Sequence, residues 1–157
     1  MTLTPSVRSL LLAAAVAATA FSRPSLAQEP AKDGTVYFPA EKTAAGWAKG
    51  GPLIETGTYK IHTSRRDGKP GEAEVHARDT DIFYILDGKA TIVTGGTLVD
   101  GKTTAPNEQR GARLDGGLTR TVSKGDVLII PNGVPHWFSE TSAPFLYFTV
   151  KVTSPAK

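Results

Sequence analysis

The chain has 157 residues and no cysteine, which excludes disulfide bracing and thiolate metal ligation. Its 18 Lys and Arg against 15 Asp and Glu give a formal net charge of +3. Arg8 and Arg23 lie in an N-terminal segment that reads as removable, and without it 16 basic residues face 15 acids. No charge surplus then argues for nucleic acid.

Residues 1–27, MTLTPSVRSLLLAAAVAATAFSRPSLA, pair a short basic start with an apolar run from Leu10 to Phe21 and a small-residue site at Ser25-Leu26-Ala27. The pattern predicts a secretory signal peptide cut before Gln28. The apolar run is about 12 residues, well short of the ~20 that span a bilayer, so no membrane anchor is expected. The product should be a secreted or periplasmic protein of one domain. Residues 28–49 form an N-terminal leader: 28–35 are polar and read as disordered, while 40–49 can form a short helix that lays Trp47 on the domain.

From residue 50 to 152 the pattern changes to short runs rich in β-branched and aromatic residues, with 153–157 left as a tail. TYKIHTS, EAEVHA, DIFYIL, ATIVTG, LTRTV, DVLIIP, VPHWFS and FLYFTVKV are each bounded by Gly, Pro, Asn or Asp. Such spacing predicts an all-β sandwich or barrel. Asp87-Gly88 between two such runs predicts a two-residue hairpin that makes 81–86 and 90–95 antiparallel neighbours. Residues 96–117 offer few side chains to bury and read as a long, exposed and mobile excursion.

Strand alternation puts Glu74, His76 and Arg78 on one face. A solvated polar strip explains that trio as well as a ligand site does. His136, between Val134-Pro135 and Trp137-Phe138, is set in an apolar strand and should be buried. A buried imidazole must be hydrogen-bonded or coordinated.

Together the two segments resemble the paired motifs of the cupin superfamily. Its first motif reads Gly, five residues, His-x-His, three or four residues, Glu, six residues, Gly. Gly68, Glu74, His76, Asp81 and Gly88 fall at those spacings. Its second reads Gly, five residues, Pro-x-Gly, two residues, His, three residues, Asn, and Gly125, Pro131, Gly133, His136 and Glu140 fall in register. The departures are Glu74 for the first His, Asp81 for Glu, and Glu140 for Asn. The resemblance implies a cupin-type jelly-roll β-barrel over residues 50–152, whose mouth holds a divalent metal on Glu74, His76, Asp81 and His136. Asp81 is one methylene shorter than the family's Glu and can instead orient a ligand from behind.

Parity places His136, Phe138 and Glu140 on one face of a strand and Asp81, Phe83 and Ile85 on one face of another, so Phe83, Phe138 and Glu140 are expected at the site or its pocket. His62 lies on the strand before Gly68, where a one-residue change of register decides whether it faces the site or solvent. Two imidazoles with carboxylates suit Mn, Fe, Zn or Ni. Open metal positions would suit an oxygenase or isomerase acting on a small organic molecule. Arg65, Arg66, Arg110 and Arg113 are the cations available for an anionic ligand. Three classes stay open: a metal-dependent enzyme, a module that binds metal or a small ligand without turnover, and a metal-free scaffold that oligomerises. The reading leaves room for a homodimer.

Overall fold

The computed structural model describes residues 30–155. The expected signal peptide lies outside the described residues. Residues 31–35, expected to be disordered, close a turn in which Gly34 N–H donates to the Ala31 carbonyl at 2.8 Å and Asp33 accepts from Thr35 N–H. The helix expected from 40 to 49 is α1 (Ala40–Lys49). Trp47 stands edge-on to Phe148, with ring centroids 5.0 Å apart.

The strands are β1 (Gly51–Glu55), β2 (Tyr59–Arg66), β3 (Ala73–His76), β4 (Asp79–Asp87), β5 (Lys89–Thr94), β6 (Thr97–Val99), β7 (Lys102–Ala105), β8 (Glu108–Gly111), β9 (Arg113–Asp115), β10 (Leu118–Ser123), β11 (Val127–Ile130), β12 (His136–Thr141) and β13 (Phe145–Thr153). They form two antiparallel sheets, ordered β1-β2-β13-β4-β11 and β10-β5-β12-β3-β8-β7, with β6 and β9 paired separately. This is the jelly-roll architecture expected from the sequence. Alternation decides which side chains meet between the sheets: on β4, Asp81, Phe83 and Ile85 are buried while Tyr84 is exposed. Phe83, Ile85, Ile92, Val122, Ile130, Phe138, Phe145 and Tyr147 make the core.

Two expectations are overturned. The Asp87-Gly88 turn is not a hairpin, because β4 belongs to one sheet and β5 to the other. Only Gly88 separates them, and the chain crosses between the sheets there. A Cβ on Gly88, whose φ is 77°, would run into Ser142 Oγ and the Pro144 carbonyl. Those atoms belong to the β12–β13 connection, where Lys89 N–H also donates to Ser142 Oγ. Asp-Gly supplies the backbone freedom for a sharp turn, but tertiary packing sets which strands it joins.

The excursion over 96–117 is exposed along most of its length, as expected, but it is not a loose loop. It folds into β6 to β9; Leu114 is buried against Ala73 and Val93, with Leu98 and Trp137 packed on them. Its apolar residues are few, but they share one satellite core with residues from the two main sheets. Strand β8 pairs with β3, setting Arg110 opposite Glu74 and Glu108 opposite His76.

Candidate metal centre

The four residues singled out from the motifs converge. Glu74 and His76 project from the same face of β3, Asp81 from β4 and His136 from the first position of β12, directly across from Glu74. One ligand atom from each lies within 4.8 Å of all the others. His76, Asp81 and His136 are buried, and Glu74 nearly so.

Backbone and neighbouring strands orient both imidazoles. His136 Nδ1 donates to the Val134 carbonyl at 3.2 Å, which leaves Nε2 facing the cluster. Nε2 approaches Glu74 Oε1 at 3.3 Å and Asp81 Oδ2 at 3.5 Å, yet it has no hydrogen-bond partner. Lys151 Nζ lies 2.8 Å from His76 Nε2, and His76 Nδ1 lies 3.4 Å from Glu108 Oε2. Arg110 spans Glu74 at 2.7 Å and Glu108 at 2.6 Å. Glu108 and Arg110 of the excursion thus hold the outer sides of His76 and Glu74, the arrangement by which a surrounding shell fixes ligand geometry.

Electrostatics follow from this enclosure. Burial disfavours the charged form of Glu74, but His136, Arg110 and Lys151 outweigh it and hold the carboxyl down at about 2. Asp81 is likewise pulled well below the usual carboxylate range, against burial, by His136, His76 and Lys151. Burial works against a charged His136, yet Asp81 and Glu74 raise it to about 9. The two carboxylates therefore demand positive charge between them. Lys151 supplies part of it, donating to both Asp81 oxygens at 2.7 and 2.8 Å.

The donor set fits a divalent ion. An orphaned buried imidazole nitrogen faces two ionised carboxylates, and the Lys151 ammonium already stands at the edge of the cluster as a cation would. Two nitrogens and two carboxylates are the donor types that Mn, Fe, Zn and Ni accept.

Comparison with known proteins gives the family. The cupin family model matches residues 71–157, more than half of the chain. The chain belongs to the cupin family. Similar solved structures include a conserved protein of unknown function from Streptococcus pyogenes, 18% identical, with a TM-score of 0.49 over 68% of this chain and 75% of that one. KdgF from Halomonas sp. is 16% identical, with a TM-score of 0.49 and coverage of 68% and 80%. Hydroquinone 1,2-dioxygenase from Sphingomonas sp. TTNP3 is 16% identical, with a TM-score of 0.49 and coverage of 66% and 65%. A search of curated proteins returned no match.

Within this cupin, the remaining site expectations divide. His62 faces the interior: its Nε2 lies 2.7 Å from Glu55 Oε1, and both line a cavity of about 310 Å³ that also takes in Glu74, Asp81, Phe83 and Lys151. Phe83 and Phe138 are buried, with Phe83 edge-on to His136 at 6.0 Å. Glu140 does not look into the barrel. The register between β12 and β5 shifts between Phe138 and Glu140, and this bulge turns Glu140 outward, where Thr91 Oγ1 donates to it at 3.1 Å.

Lys151 and Glu108 were not anticipated. Lys151 had a signal: in FLYFTVKV it shares a face with Phe145, Tyr147 and Thr149, so it must point inward with them. A larger hollow of about 470 Å³ runs between β10 and β11, but histidine does not line it, and its one acid, Asp126, accepts from Ser123 N–H at 2.7 Å.

Proposed function

We propose that this cupin is exported, holds one divalent metal ion on Glu74, His76, Asp81 and His136, and binds or converts a small organic molecule in the adjoining cavity. The observation that carries the reading is His136 Nε2, buried without a hydrogen-bond partner and facing two ionised carboxylates at 3.3 and 3.5 Å. A bound Mn, Fe, Zn or Ni ion would supply Lewis acidity at open coordination positions, the chemistry that an oxygenase or isomerase needs. The residues around it do the rest. Arg110 and Glu108 hold Glu74 and His76 in place, Phe83 walls off one side of His136, and the cavity leaves room for a ligand beside Glu74 and Asp81.

Lys151 favours a second reading. Its ammonium already neutralises Asp81 and satisfies His76, as the metal-free scaffold requires. Elemental analysis after separate exposure to Mn, Fe, Zn and Ni decides between them. Close to one ion per chain supports the metal reading, and no binding above that of a His76→Ala, His136→Ala double variant supports the scaffold.

Export rests on the pattern of Arg8, the apolar run and Ser25-Leu26-Ala27. Intact mass of the protein recovered outside the cytoplasm should give an N-terminus at Gln28. The homodimer belongs to the same proposal, and sedimentation of the purified chain tests it.

A further inference from the structure

The cavity beside the metal cluster is lined by both signs of charge, and nearly every cation in it is matched. Lys60 pairs with Asp79 at 2.7 Å, Arg110 with Glu74 and Glu108, and Lys151 with Asp81, while the His62 imidazole lies against Glu55. Arg66 is the exception: among the described residues, no carboxylate lies within ion-pair range of it. The neighbouring Arg65 is spent on Asp67 at 2.7 Å.

Arg66 is nevertheless held firmly. Its guanidinium lies over the Phe138 ring, 5.1 Å from the centroid, and its Nε donates to Tyr147 Oη at 3.1 Å. It also packs so close to Gly71 that any Cβ there would collide with Nη1. Gly71 is itself fixed, its carbonyl accepting from Trp137 Nε1 at 2.7 Å and its N–H donating to Phe138 O. The fork is thus held against an aromatic face and a backbone, while among the described residues its terminal N–H groups make no side-chain hydrogen bond. Orientation without an anion is what a ligand-binding guanidinium requires, because little rotamer entropy is left to lose on binding.

We propose that Arg66 is the anchor for the carboxylate of a small organic monocarboxylate, whose other end reaches toward Glu74 and Asp81. The charge count favours a single negative charge. One free guanidinium matches a planar carboxylate through two parallel hydrogen bonds, whereas a dianionic phosphate would face Glu55 and Glu108 with no second free cation to hold it. The volume, about 310 Å³, sits at the small end of the ~300–1,000 Å³ typical of ligand pockets. Phe83 and Tyr147 line the space between and offer apolar faces to the ligand's body. This inference rests on the small-molecule reading of the cavity, but the anion anchor does not require the metal.

Benzoate and benzamide, alike in shape and different in charge, provide the test. In the wild-type chain labelled with ¹⁵N, benzoate should move the Nε–Hε resonance of Arg66 and leave that of Arg65 in place, while benzamide should move neither. By calorimetry, Arg66→Gln should weaken benzoate by about tenfold or more. Arg66→Lys, which keeps the charge and loses the fork, should also weaken it. Metal content of the same samples is read separately. An Arg66-dependent benzoate response in protein that takes up no metal would retain the anchor and retire the metal reading. Equal responses to benzoate and benzamide, or a benzoate affinity indifferent to Arg66→Gln in a folded variant, would overturn the anchor whatever the metal content.

Discussion

The mouth and the floor of this barrel are built on the same strands, two residues apart. On β4 the inward positions run from Asp81 to Phe83 and Ile85, on β12 from His136 to Phe138, and on β13 from Lys151 and Thr149 to Tyr147 and Phe145. At one end they gather carboxylates, imidazoles and an ammonium. At the other, Phe83, Phe138, Phe145 and Tyr147 pack in five tilted or edge-on ring pairs with centroids 5.0–5.6 Å apart. The floor is stable because aromatic area leaves water and close-packed rings gain dispersion. The mouth must offset the desolvation of four ionisable groups with one another's charge, and it does so incompletely, leaving His136 Nε2 orphaned. Such a cluster contributes less to stability than the floor does, and its donors are of the kind a divalent cation accepts.

If that contrast holds, changes at the mouth should act on metal and changes at the floor on folding. The largest expected effect is on metal: His76→Ala or His136→Ala should reduce uptake from about one divalent ion per chain to background, by elemental analysis, with only a modest fall in melting temperature. A variant that loses metal and also unfolds would make the ion structural and collapse the distinction. Next comes Phe138→Ala, which should cost about 3–5 kcal/mol in denaturant unfolding, because it opens a void against three other rings and removes the support of Arg66. A loss under ~1 kcal/mol would mean that the floor repacks and is not the stabilising half.

The pH response of the metal-free protein sharpens the same contrast. Glu74 is depressed from 4.5 to about 2, so its contribution is present above ~4.5 and drains as pH falls toward 2. His136 is raised from 6.5 to about 9, so its contribution is complete below ~6.5 and lost as pH climbs through 9. Stability of chelator-treated wild type relative to His136→Gln should therefore decline between pH 6.5 and 9, by roughly 1–3 kcal/mol. Metal affinity should rise over the same interval, since coordination needs the neutral imidazole. A difference that stays flat across that range would show that the carboxylates do not hold His136 charged.

Lys151 ranks below these in effect and asks which cation the mouth prefers. Lys151→Met removes an ammonium that competes for Asp81 and His76, so metal affinity should increase by about tenfold while the metal-free form loses stability. Weaker metal binding in a folded Lys151→Met variant would instead make Lys151 a supporting partner of the bound state.

The sequence carried the mouth better than the frame around it. Motif spacing brought Glu74, His76, Asp81 and His136 together from separate strands, and alternation placed Phe83 and Phe138 correctly. What escaped is long-range. Asp87-Gly88 carries the local chemistry of a hairpin turn, and only the partners of β4 and β5 reveal a crossing between sheets. The excursion was misread because Leu98 and Leu114 are apolar singles whose common core forms only when β6 meets β9. Glu108 and Arg110 became legible as site residues once β8 had paired with β3.

The smallest expected effect concerns the one site candidate that the structure moves away. Strict alternation from His136 points Glu140 inward, and an uncompensated inward carboxylate would be costly to bury. The bulge between Phe138 and Glu140 turns it to the surface, where its recorded side-chain partner is Thr91. A solvated carboxylate bonded to one hydroxyl contributes little, so Glu140→Gln should change stability by less than about 0.5 kcal/mol and leave metal uptake as in wild type. The informative contrast is with Glu74→Gln, which changes the same functional group behind Arg110 and His136 and should sharply weaken metal binding. Loss of metal in Glu140→Gln would mean that β12 runs unbulged in solution, and the mouth would then hold a third carboxylate.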